Sequence, residues 1–377
     1  MEKIVIINQW ASHITKDIAN AFSVKYKVAL ISGQVSESGR CLNSGIEIIK
    51  IIKYNRKNKF TRLLTWIIGT IQIILLINIR FKNYHLLLTS NPPLSVFIPL
   101  FCKNKYSVQI LDIYPDAFVA GGFISKNSWI YKGWGRRNIT FFNKARNIFT
   151  ITESMAATLS QYCEKDRIKV ILQWPSFDNI DLINKNENIF LKKYDLTDKF
   201  IILYAGNMGL GHHIPTIIDI TKALKENREI KFVLIGEGWY KQYILDSIEN
   251  YELSNCLVLP FQSPEIFRHI LQSADLGIVT VSEKMGKLMI PVKTYNLISN
   301  HIPLLVITEG DSELKALVDK YKIGKCFASI ELNYIIDYIL LLKNEKEAVD
   351  FYKSNLIECS KLFTWENSKI YVENFIN

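Results

Sequence analysis

The sequence predicts an α/β protein with two doubly wound, Rossmann-like domains that face each other across a cleft. The first observation is length, because 377 residues exceed what one hydrophobic core usually supports. The second is that short β-branched runs alternate with helical stretches, the pattern of parallel sheets covered by helices on both faces. The third is that this alternation stops in a polar stretch near residues 176–198 and then restarts. Two such sheets are therefore expected.

The composition indicates a folded, basic protein. Hydrophobic residues make up 49% of the chain and charged residues 22%, which excludes wholesale disorder. The net charge of +10 indicates a surface that attracts nucleic acid, anionic lipid or phosphorylated small molecules, and charge alone does not choose among them. The six cysteines are far apart and form no C-x-x-C pair, so we expect reduced thiols in a cytoplasmic protein.

The first half of the chain begins with a strand. The apolar run at residues 4–7 starts at once and lacks a small-residue cleavage site, so we expect a first strand there and not a signal peptide. The predicted strands of this half are 4–8, 27–31, 46–51, 85–89, 106–111, 148–152 and 168–172, and the predicted helices are 13–23, 60–80, 127–146 and 153–163.

One predicted helix is apolar enough to compare with a membrane span. Residues 63–79 carry no charge, but the run falls just short of the ~20 residues that a spanning helix needs. Thr65, Gly69 and Gln72 recur at helical spacing and form a weakly polar stripe. We therefore expect a buried or membrane-docked helix rather than a spanning one.

The second half repeats the alternation. Its predicted strands are 200–205, 230–235, 256–259, 276–281 and 303–307, and its predicted helices are 213–226, 240–249, 264–273, 292–299 and 311–320. We expect an N-terminal domain over residues 1–175, a C-terminal domain over 176–355, and a final helix over 356–377 that packs back on the N-terminal domain. Ligands of such sheets bind where strands end, so the loops that follow strands are the candidate sites.

The sharpest of these loops follows the predicted strand 200–205. Glycines stand at positions 206, 209 and 211, and a helix opens just after them. Such a turn aims backbone N–H groups and the positive end of a helix dipole at an anion. A tight turn without a ligand is the alternative. Because the spacing is not G-x-G-x-x-G, a dinucleotide oxidoreductase is disfavoured.

Lys293 lies in the first turn of a predicted helix that begins near Pro291. Proline is favourable at a helix start, but a lysine there faces the positive end of the dipole. We therefore expect an anion beside Lys293.

Two loops of the first half also follow strands. His13 ends the loop after the first strand, and Asp112 and Asp116 lie in the segment DIYPD. The two carboxylates fit either acceptor binding and proton transfer or the capping of a helix. His13 fits either contact with a substrate or packing within its domain.

Several segments of the second half, taken in their order along the chain, carry a resemblance to a known family. They are YAGNMG, FVLIGEG, LVLPF, SADLGIVTV, IPVKTYNLISNHIPLLVI and FTWENS. Their order and spacing resemble the family-4 glycosyltransferases of GT-B fold, in the branch that makes bacterial capsule, O-antigen and exopolysaccharide. The first half agrees more loosely, through LLLTSNPPLSVFIPL, VQILDIYPDAFVAGGF and VILQWPSFDNI. The likeness covers most of the chain and is strongest over residues 200–307.

The resemblance implies a retaining hexosyltransferase that uses a nucleoside diphosphate sugar, most often a UDP-sugar, and a polyprenyl-linked or glycan acceptor. By position it implies that donor-binding residues are Gly206, Asn207, Met208, Gly209, His212, Gly236, Glu237, Lys241, Pro260, Phe261, Pro291, Lys293, Tyr295 and Asn296. The candidate catalytic residues are Lys293, Asp112, Asp116 and His13. The N-terminal half shows no D-x-D pair after a strand, so neither a metal nor another cofactor is expected.

The chain departs from this family at two places. Asn207 and, roughly, His212 stand where many relatives carry an arginine and a lysine, and Leu288 and Asn296 stand at the two glutamates of E-x7-E. The missing glutamates motivate the alternative of a catalytically weak partner subunit of another transferase. A nucleotide-sugar epimerase of the same architecture is a further alternative. Nucleic-acid binding is disfavoured because no basic-aromatic groove motif appears.

Basic residues flank the apolar helix on both sides. A solvated surface is one interpretation. Docking on anionic lipid is the other, because each such charge contributes ~1 kcal/mol. It would make the protein peripheral on the inner face of the bacterial plasma membrane. The residues are Lys53, Arg56, Lys57, Lys59 and Arg62 before the helix and Arg80 and Lys82 after it.

Overall fold

The computed structural model divides the chain into two compact units. Unit 1 comprises residues 1–176 with 365–377, and unit 2 comprises residues 177–364. The structure describes residues 2–55, 57–176, 183–209, 211–282, 286 and 290–375. Arg56 and Leu288, both singled out from the sequence, and part of the segment that joins the units lie outside the described residues.

Unit 1 is built on a seven-stranded parallel sheet of order β5-β3-β1-β6-β7-β8-β9, with a short additional pair, β2-β4. Strand β1 lies inside the sheet between β3 and β6. Its side chains from Ile4 to Ile7 are at most 1% exposed, as expected for a strand covered on both faces. The strands are β1 Lys3–Ile7, β2 Trp10–Ala11, β3 Lys27–Ser32, β4 Gln34–Val35, β5 Glu47–Lys50, β6 His85–Thr89, β7 Tyr106–Gln109, β8 Ile148–Thr150 and β9 Ile168–Val170.

The helices of unit 1 cover its sheet. The last of them comes from the C-terminal end of the chain, where Tyr371 is buried and its hydroxyl accepts a 2.9 Å hydrogen bond from Gln109 Nε2. The helices are α1 His13–Ser23, α2 Lys59–Arg80, α3 Asp116–Ala120, α4 Trp129–Lys144, α5 Glu153–Leu159 and α14 Asn367–Glu373.

Unit 2 is built on a six-stranded parallel sheet of order β12-β11-β10-β13-β14-β15. Its strands are β10 Phe200–Ala205, β11 Ile230–Ile235, β12 Cys256–Leu259, β13 Leu276–Val281, β14 Leu304–Thr308 and β15 Gly324–Phe327. Its helices are α6 Ile189–Tyr194, α7 Ile214–Ala223, α8 Lys241–Tyr251, α9 Pro264–Ser273, α10 Val292–Ser299, α11 Glu313–Tyr321, α12 Leu332–Asn344 and α13 Lys346–Ser360.

Helix α2 is tied to unit 1 along one face. Gln9 Nε2 donates to the carbonyl oxygen of Thr65 at 2.8 Å, and Gln72 Oε1 accepts from the Ile52 N–H at 2.8 Å. A Cβ at Gly69 would lie 2.6 Å from Gln9 Nε2, so the polar stripe found in the sequence is the inward face. This helix is long and apolar enough to cross a membrane, but the core helix of a soluble protein passes the same test, so its length and hydropathy do not decide between the two.

Candidate active site

The chain reverses its winding direction in unit 2 between β10 and β13. From β10 it proceeds to β11 on one side, and from β13 to β14 on the other, although β10 and β13 are neighbours in the sheet. In doubly wound sheets a ligand crevice opens at the carboxyl ends of the strands at such a point. The loop after β10 and the start of α10, which follows β13, both belong to this region.

The glycines of the first two loops are required by a close backbone contact. A Cβ at Gly236 would lie 1.8 Å from the carbonyl oxygen of Gly206, and a Cβ at Gly238 would lie 2.6 Å from the carbonyl of Met208. All three glycines have positive φ, namely +147° at Gly206, +152° at Gly236 and +153° at Gly238. A side chain at Gly236 or Gly238 would force the two loops apart.

This contact also uses backbone donors of the first loop. The Gly206 N–H donates to the Ile235 carbonyl at 2.8 Å, and the Met208 N–H donates to the Glu237 carbonyl at 2.9 Å. The expectation that these N–H groups point at an anion is therefore wrong for Gly206 and Met208. Met208 is also fully buried, so it anchors the loop rather than lining an open surface.

Lys293 points at the first glycine loop from the first turn of α10, whose N-cap residue is Pro291. A Cβ built on Gly206 would lie 3.0 Å from both Cε and Nζ of Lys293. The ammonium lies 3.7 Å from the centroid of the Tyr204 ring, which provides a cation–π contact. Lys293 and the Gly206 turn, predicted separately from the sequence, therefore form one site.

The Lys293 ammonium is buried, and it has no hydrogen-bond acceptor among the described residues. Burial lowers its pKa from 10.5 to about 7, because the charged form loses its hydration. A buried cation without an acceptor is costly unless an anion joins it. Among the residues that the structure describes, the Lys293 ammonium is therefore left without an anionic partner.

His212 lies in the same region but adds no charge. Its Nδ1 is 3.1 Å from Thr280 Oγ1, at the end of β13. Burial, together with the nearby Lys293 charge, lowers the pKa of His212 to about 4, so the ring is neutral at pH 7. Asn207 is exposed, and its carbonyl accepts a 2.7 Å hydrogen bond from the Tyr204 hydroxyl.

The second loop contains a cation that is already paired. Lys241 at the start of α8 forms an ion pair with Glu237, four residues earlier. Glu237 is exposed and Lys241 is half-buried, so the pair is a surface interaction of small net value. Lys241 can meet an anion only in competition with Glu237.

The residues after β12 and within α10 differ in exposure. Phe261 is 59% exposed just beyond the strand end, so its ring is open to a planar ligand. Pro260, before it, is also exposed. Tyr295 is fully buried with its ring centroid 5.2 Å from that of Phe363. Tyr295 supports α10 from inside, and Asn296 is 9% exposed.

In unit 1, His13 is enclosed by its own domain. Its Nε2 lies 2.9 Å from the Trp174 carbonyl oxygen, and its Nδ1 lies 3.1 Å from Ser176 Oγ. Burial lowers its pKa to about 4. Both ring nitrogens are therefore engaged, which favours the packing interpretation over contact with a substrate.

The two aspartates of unit 1 are placed differently. Asp116, the first residue of α3, accepts hydrogen bonds from the hydroxyls of Tyr131 at 2.9 Å and Tyr162 at 2.7 Å, so its carboxylate links the start of α3 to α4 and to the segment that follows α5. Asp112 is exposed beyond the carboxyl end of β7, and its N–H donates to Ser90 Oγ at 3.0 Å. Of the two, Asp112 is the exposed one.

Two residues of the site were not predicted from the sequence. Tyr204 carries the ring beneath Lys293, and Thr280 holds His212. Both lie at the carboxyl ends of neighbouring strands, and a polar side chain there, in an otherwise aliphatic run, is the signal that marks them. Across the described residues, no group of three or more His, Cys, Asp or Glu side chains could hold a metal ion.

Comparison with known proteins gives a consistent result. Residues 186–290 match the family described as "Glycosyl transferases group 1". The chain is 23% identical over 225 residues to a probable glycosyltransferase WbjE of Pseudomonas aeruginosa. That alignment covers 58% of this chain and spans 55% of the relative's length.

Solved structures agree over nearly the whole chain. WaaG, a glycosyltransferase involved in lipopolysaccharide biosynthesis, superposes with a TM-score of 0.68 at 11% identity, covering 99% of each chain. Anabaena Alr3699/HepE, in complex with UDP-glucose, gives a TM-score of 0.70 at 10% identity, covering 100% of this chain and 99% of the other. At these identities the likeness establishes the fold. Residues 186–290 therefore carry a group 1 glycosyltransferase domain, and the chain as a whole has the GT-B fold.

Proposed function

We propose that the chain is a retaining glycosyltransferase that moves a sugar from a UDP-sugar to a lipid-linked or glycan acceptor in bacterial surface polysaccharide synthesis. The observation that carries the proposal is the Lys293 ammonium, which is buried against the Gly206 turn and has no acceptor in the described part of the chain. The description of the WbjE relative as a probable glycosyltransferase and the UDP-glucose complex of HepE support it.

The chemistry explains why such a cation is needed. Transfer from a nucleoside diphosphate sugar breaks a bond to a phosphate oxygen, and negative charge grows on the departing diphosphate. Fixed cations and dipoles aimed at that charge lower the barrier. One cation about 4 Å from a phosphate charge contributes about 4 kcal/mol at an effective dielectric constant near 20.

Lys293 is the cation that we expect to contribute most to stabilising the leaving diphosphate. Lys241 is paired with Glu237, and His212 is neutral at pH 7. We propose that Lys293 and the N-terminus of α7 stabilise the leaving diphosphate without a metal ion, and that the exposed ring of Phe261 stacks on the base. The retaining outcome and the UDP preference follow from the family resemblance.

We also propose that the protein works in the cytoplasm, peripherally attached to the inner face of the plasma membrane, where a polyprenyl-linked acceptor is accessible. Asp112 is the residue of unit 1 that we assign to the acceptor, because it is exposed at the carboxyl edge of its sheet.

The experiment is a thermal-shift screen of the purified protein against UDP-, GDP- and dTDP-sugars, followed by incubation of the stabilising donor with an acceptor panel. A ligand at 100 times its Kd stabilises the native state by about 2.7 kcal/mol, which such a screen detects. We expect UDP compounds to give the largest shift and the product to keep the donor's anomeric configuration.

Other outcomes would overturn the proposal. An epimerised sugar formed without acceptor would indicate an epimerase. Donor binding without turnover across the panel would indicate a partner subunit. A stabilising shift confined to GDP- or dTDP-sugars would contradict the UDP assignment.

A further inference from the structure

Helix α2 carries a second apolar face that the fold does not bury. Its inward face consists of Thr65, Trp66, Gly69, Thr70, Ile73 and Ile77. The opposite face is exposed along the whole helix, from Phe60, 74% exposed, to Ile79, 80% exposed. The exposed apolar residues recur at spacings of three and four, the spacing that places side chains on one helix face. They include Phe60, Leu64, Ile67, Ile71, Leu75 and Ile79.

The stripe continues onto neighbouring segments at both ends. Leu100 and Phe101 are 58% and 60% exposed, and the Phe101 carbonyl accepts a 3.0 Å hydrogen bond from Asn78 Nδ2 near the end of α2. At the other end the ring of Phe123 lies 5.5 Å from the guanidinium of Arg62. A monomeric soluble protein rarely leaves so long an apolar surface uncovered, and such surfaces mark an interaction site.

The charge distribution along the chain indicates what kind of partner covers the exposed apolar face of α2. Ten of the 46 lysines and arginines lie in residues 48–111, and none of the 36 acidic residues does. The rest of the chain therefore carries 36 residues of each sign and is neutral, so the whole net charge of +10 lies in the segment that contains α2.

Several of the described cations of this segment lie at the two ends of the exposed stripe. Lys57 and Lys59 are exposed where α2 begins, and Lys82 and Lys103 are exposed where it ends. A cavity that Lys82 and Lys103 help to line also includes Lys3, Lys105 and Arg146, with Glu2 as its acidic residue. A helix with an apolar centre and basic ends, about 33 Å long, fits the plane of a bilayer surface.

We propose that the exposed face of α2 inserts into the headgroup boundary of an anionic lipid bilayer, with the helix parallel to the membrane plane. The basic residues at both ends contact lipid phosphates, and unit 1 stays on the aqueous side. The proposal rests on the proposed function only in that a lipid-linked acceptor gives the protein a reason to be there. A spanning orientation is excluded because the inward face is hydrogen-bonded to Gln9 and Ile52 of the same unit.

The test is co-sedimentation of the full chain with vesicles of phosphatidylcholine alone or with 30% phosphatidylglycerol. We expect binding to the anionic vesicles and release by alkaline carbonate. The variant Leu64→Ser/Ile71→Ser/Leu75→Ser should lower the partition coefficient at least tenfold. The matched control Ile330→Ser/Phe351→Ser/Ile357→Ser, which changes exposed apolar residues of unit 2, should bind like the wild type.

A charge variant tests the other half of the proposal. Lys57→Ala/Lys59→Ala/Arg62→Ala should lower binding to anionic vesicles by about 100-fold, at roughly fivefold per charge. The control Lys192→Ala/Lys193→Ala/Lys346→Ala loses the same charge in unit 2 and should have no comparable effect.

Three results would overturn the inference. The first is equal vesicle binding by the serine variant and the wild type. The second is retention of the wild type on the vesicles after carbonate extraction. The third is a wild-type protein that is dimeric and binds no vesicles, together with a serine variant that is monomeric and binds none either. The thermal shift with UDP, measured on the same variants, separates the two proposals. A normal shift with no vesicle binding refutes the docking face alone, and vesicle binding without a shift refutes the donor assignment alone.

Discussion

Replacing Lys293 by methionine should make the free protein more stable and the enzyme less active. Burial lowers the pKa of this lysine to about 7, whereas an unfolded lysine keeps a pKa near 10.5. Below pH 7 the folded protein therefore holds a buried charge, and each tenfold weakening of its proton affinity corresponds to about 1.4 kcal/mol of lost stability. Methionine fills a similar volume without that cost. We expect Lys293→Met to gain on the order of a few kcal/mol at pH 6.5.

The pH dependence of this gain has a definite sign. Between pH 7 and 10.5 the unfolded chain binds a proton at Lys293 that the folded chain does not, so wild-type stability rises with pH in this window. The difference between the variant and the wild type should therefore be largest at pH 6.5 and narrower at pH 9.5. Urea unfolding at both pH values measures it.

The activity should change in the opposite direction. At an effective dielectric constant near 20 the ammonium contributes about 4 kcal/mol to a phosphate charge about 4 Å away, which corresponds to roughly 1000-fold in rate if the whole interaction acts in the transition state. We expect kcat/KM to fall at least tenfold in Lys293→Met, because the charge is needed most in the transition state. Lys231→Met is the matched control, since burial also lowers the pKa of Lys231 and its Nζ donates to the Ser254 carbonyl, away from the glycine loops.

Two results would refute this reasoning. The first is an unchanged kcat/KM in a folded Lys293→Met protein, which would remove Lys293 from the site. The second is a variant less stable than the wild type at pH 6.5, which would mean that the ammonium is satisfied in the free protein.

Four further predictions follow from the same geometry. Measured by calorimetry, the Kd for UDP should rise about tenfold per pH unit between pH 7.5 and 9, because bound UDP keeps Lys293 protonated. This dependence of Kd on pH should vanish in Lys293→Met, and an equal dependence in the wild type and the variant would contradict the prediction. Gly236→Ala should lower the free energy of unfolding by at least about 2 kcal/mol because its Cβ would meet the neighbouring loop. The control is Gly133→Ala, whose Cβ would lie in open space on α4. This change should be neutral or raise the free energy of unfolding by about 0.5–1 kcal/mol. Phe261→Ala should weaken UDP binding about tenfold, since stacking on a base contributes ~1–3 kcal/mol, and unchanged affinity would place the base elsewhere. Asp116→Ala should cost about 1–3 kcal/mol of stability and leave kcat/KM on a soluble acceptor within a fewfold; a large loss of turnover at unchanged Tm would make Asp116 catalytic.

The sequence predicts the sheet of unit 2 closely because its strands are continuous apolar runs. Residues 200–205, 230–235, 256–259 and 276–281 form strands with the predicted bounds. Such strands are covered on both faces, so their residues are apolar throughout and the first and last residue of each strand can be read from the sequence. The edge strand β15 is only partly buried and contains Lys325 and Cys326, which explains why no apolar run predicts it.

Lys293 could be selected from the sequence because a cation in the first turn of a helix is an electrostatic anomaly. Its contact with Tyr204 could not be predicted, because it depends on how β10 and β13 pair in the sheet, which spacing along the chain does not encode. Its place beside the Gly206 turn was implied by the family resemblance and not by the spacing. Glycines that make room for a neighbouring loop also look the same in sequence as glycines that make room for a phosphate. The engaged N–H groups of Gly206 and Met208 were missed for that reason.

Helix α2 shows the limit of hydropathy. A run that is apolar all round fits a buried helix, a spanning helix and a surface helix equally well. The distinction depends on Gln9, which lies 56 residues from Thr65 in sequence and donates to its carbonyl oxygen. Only the packed structure shows that one apolar face is used and the other is left exposed.

The central claim is that Lys293 and the Gly206 turn together hold the donor diphosphate. A crystal structure of the protein with UDP tests it most directly. We predict a diphosphate oxygen about 2.7–2.9 Å from Lys293 Nζ, beside the turn at Gly206–Gly209. UDP bound elsewhere, with the Lys293 ammonium still lying over the Tyr204 ring and touching no phosphate, would contradict the account.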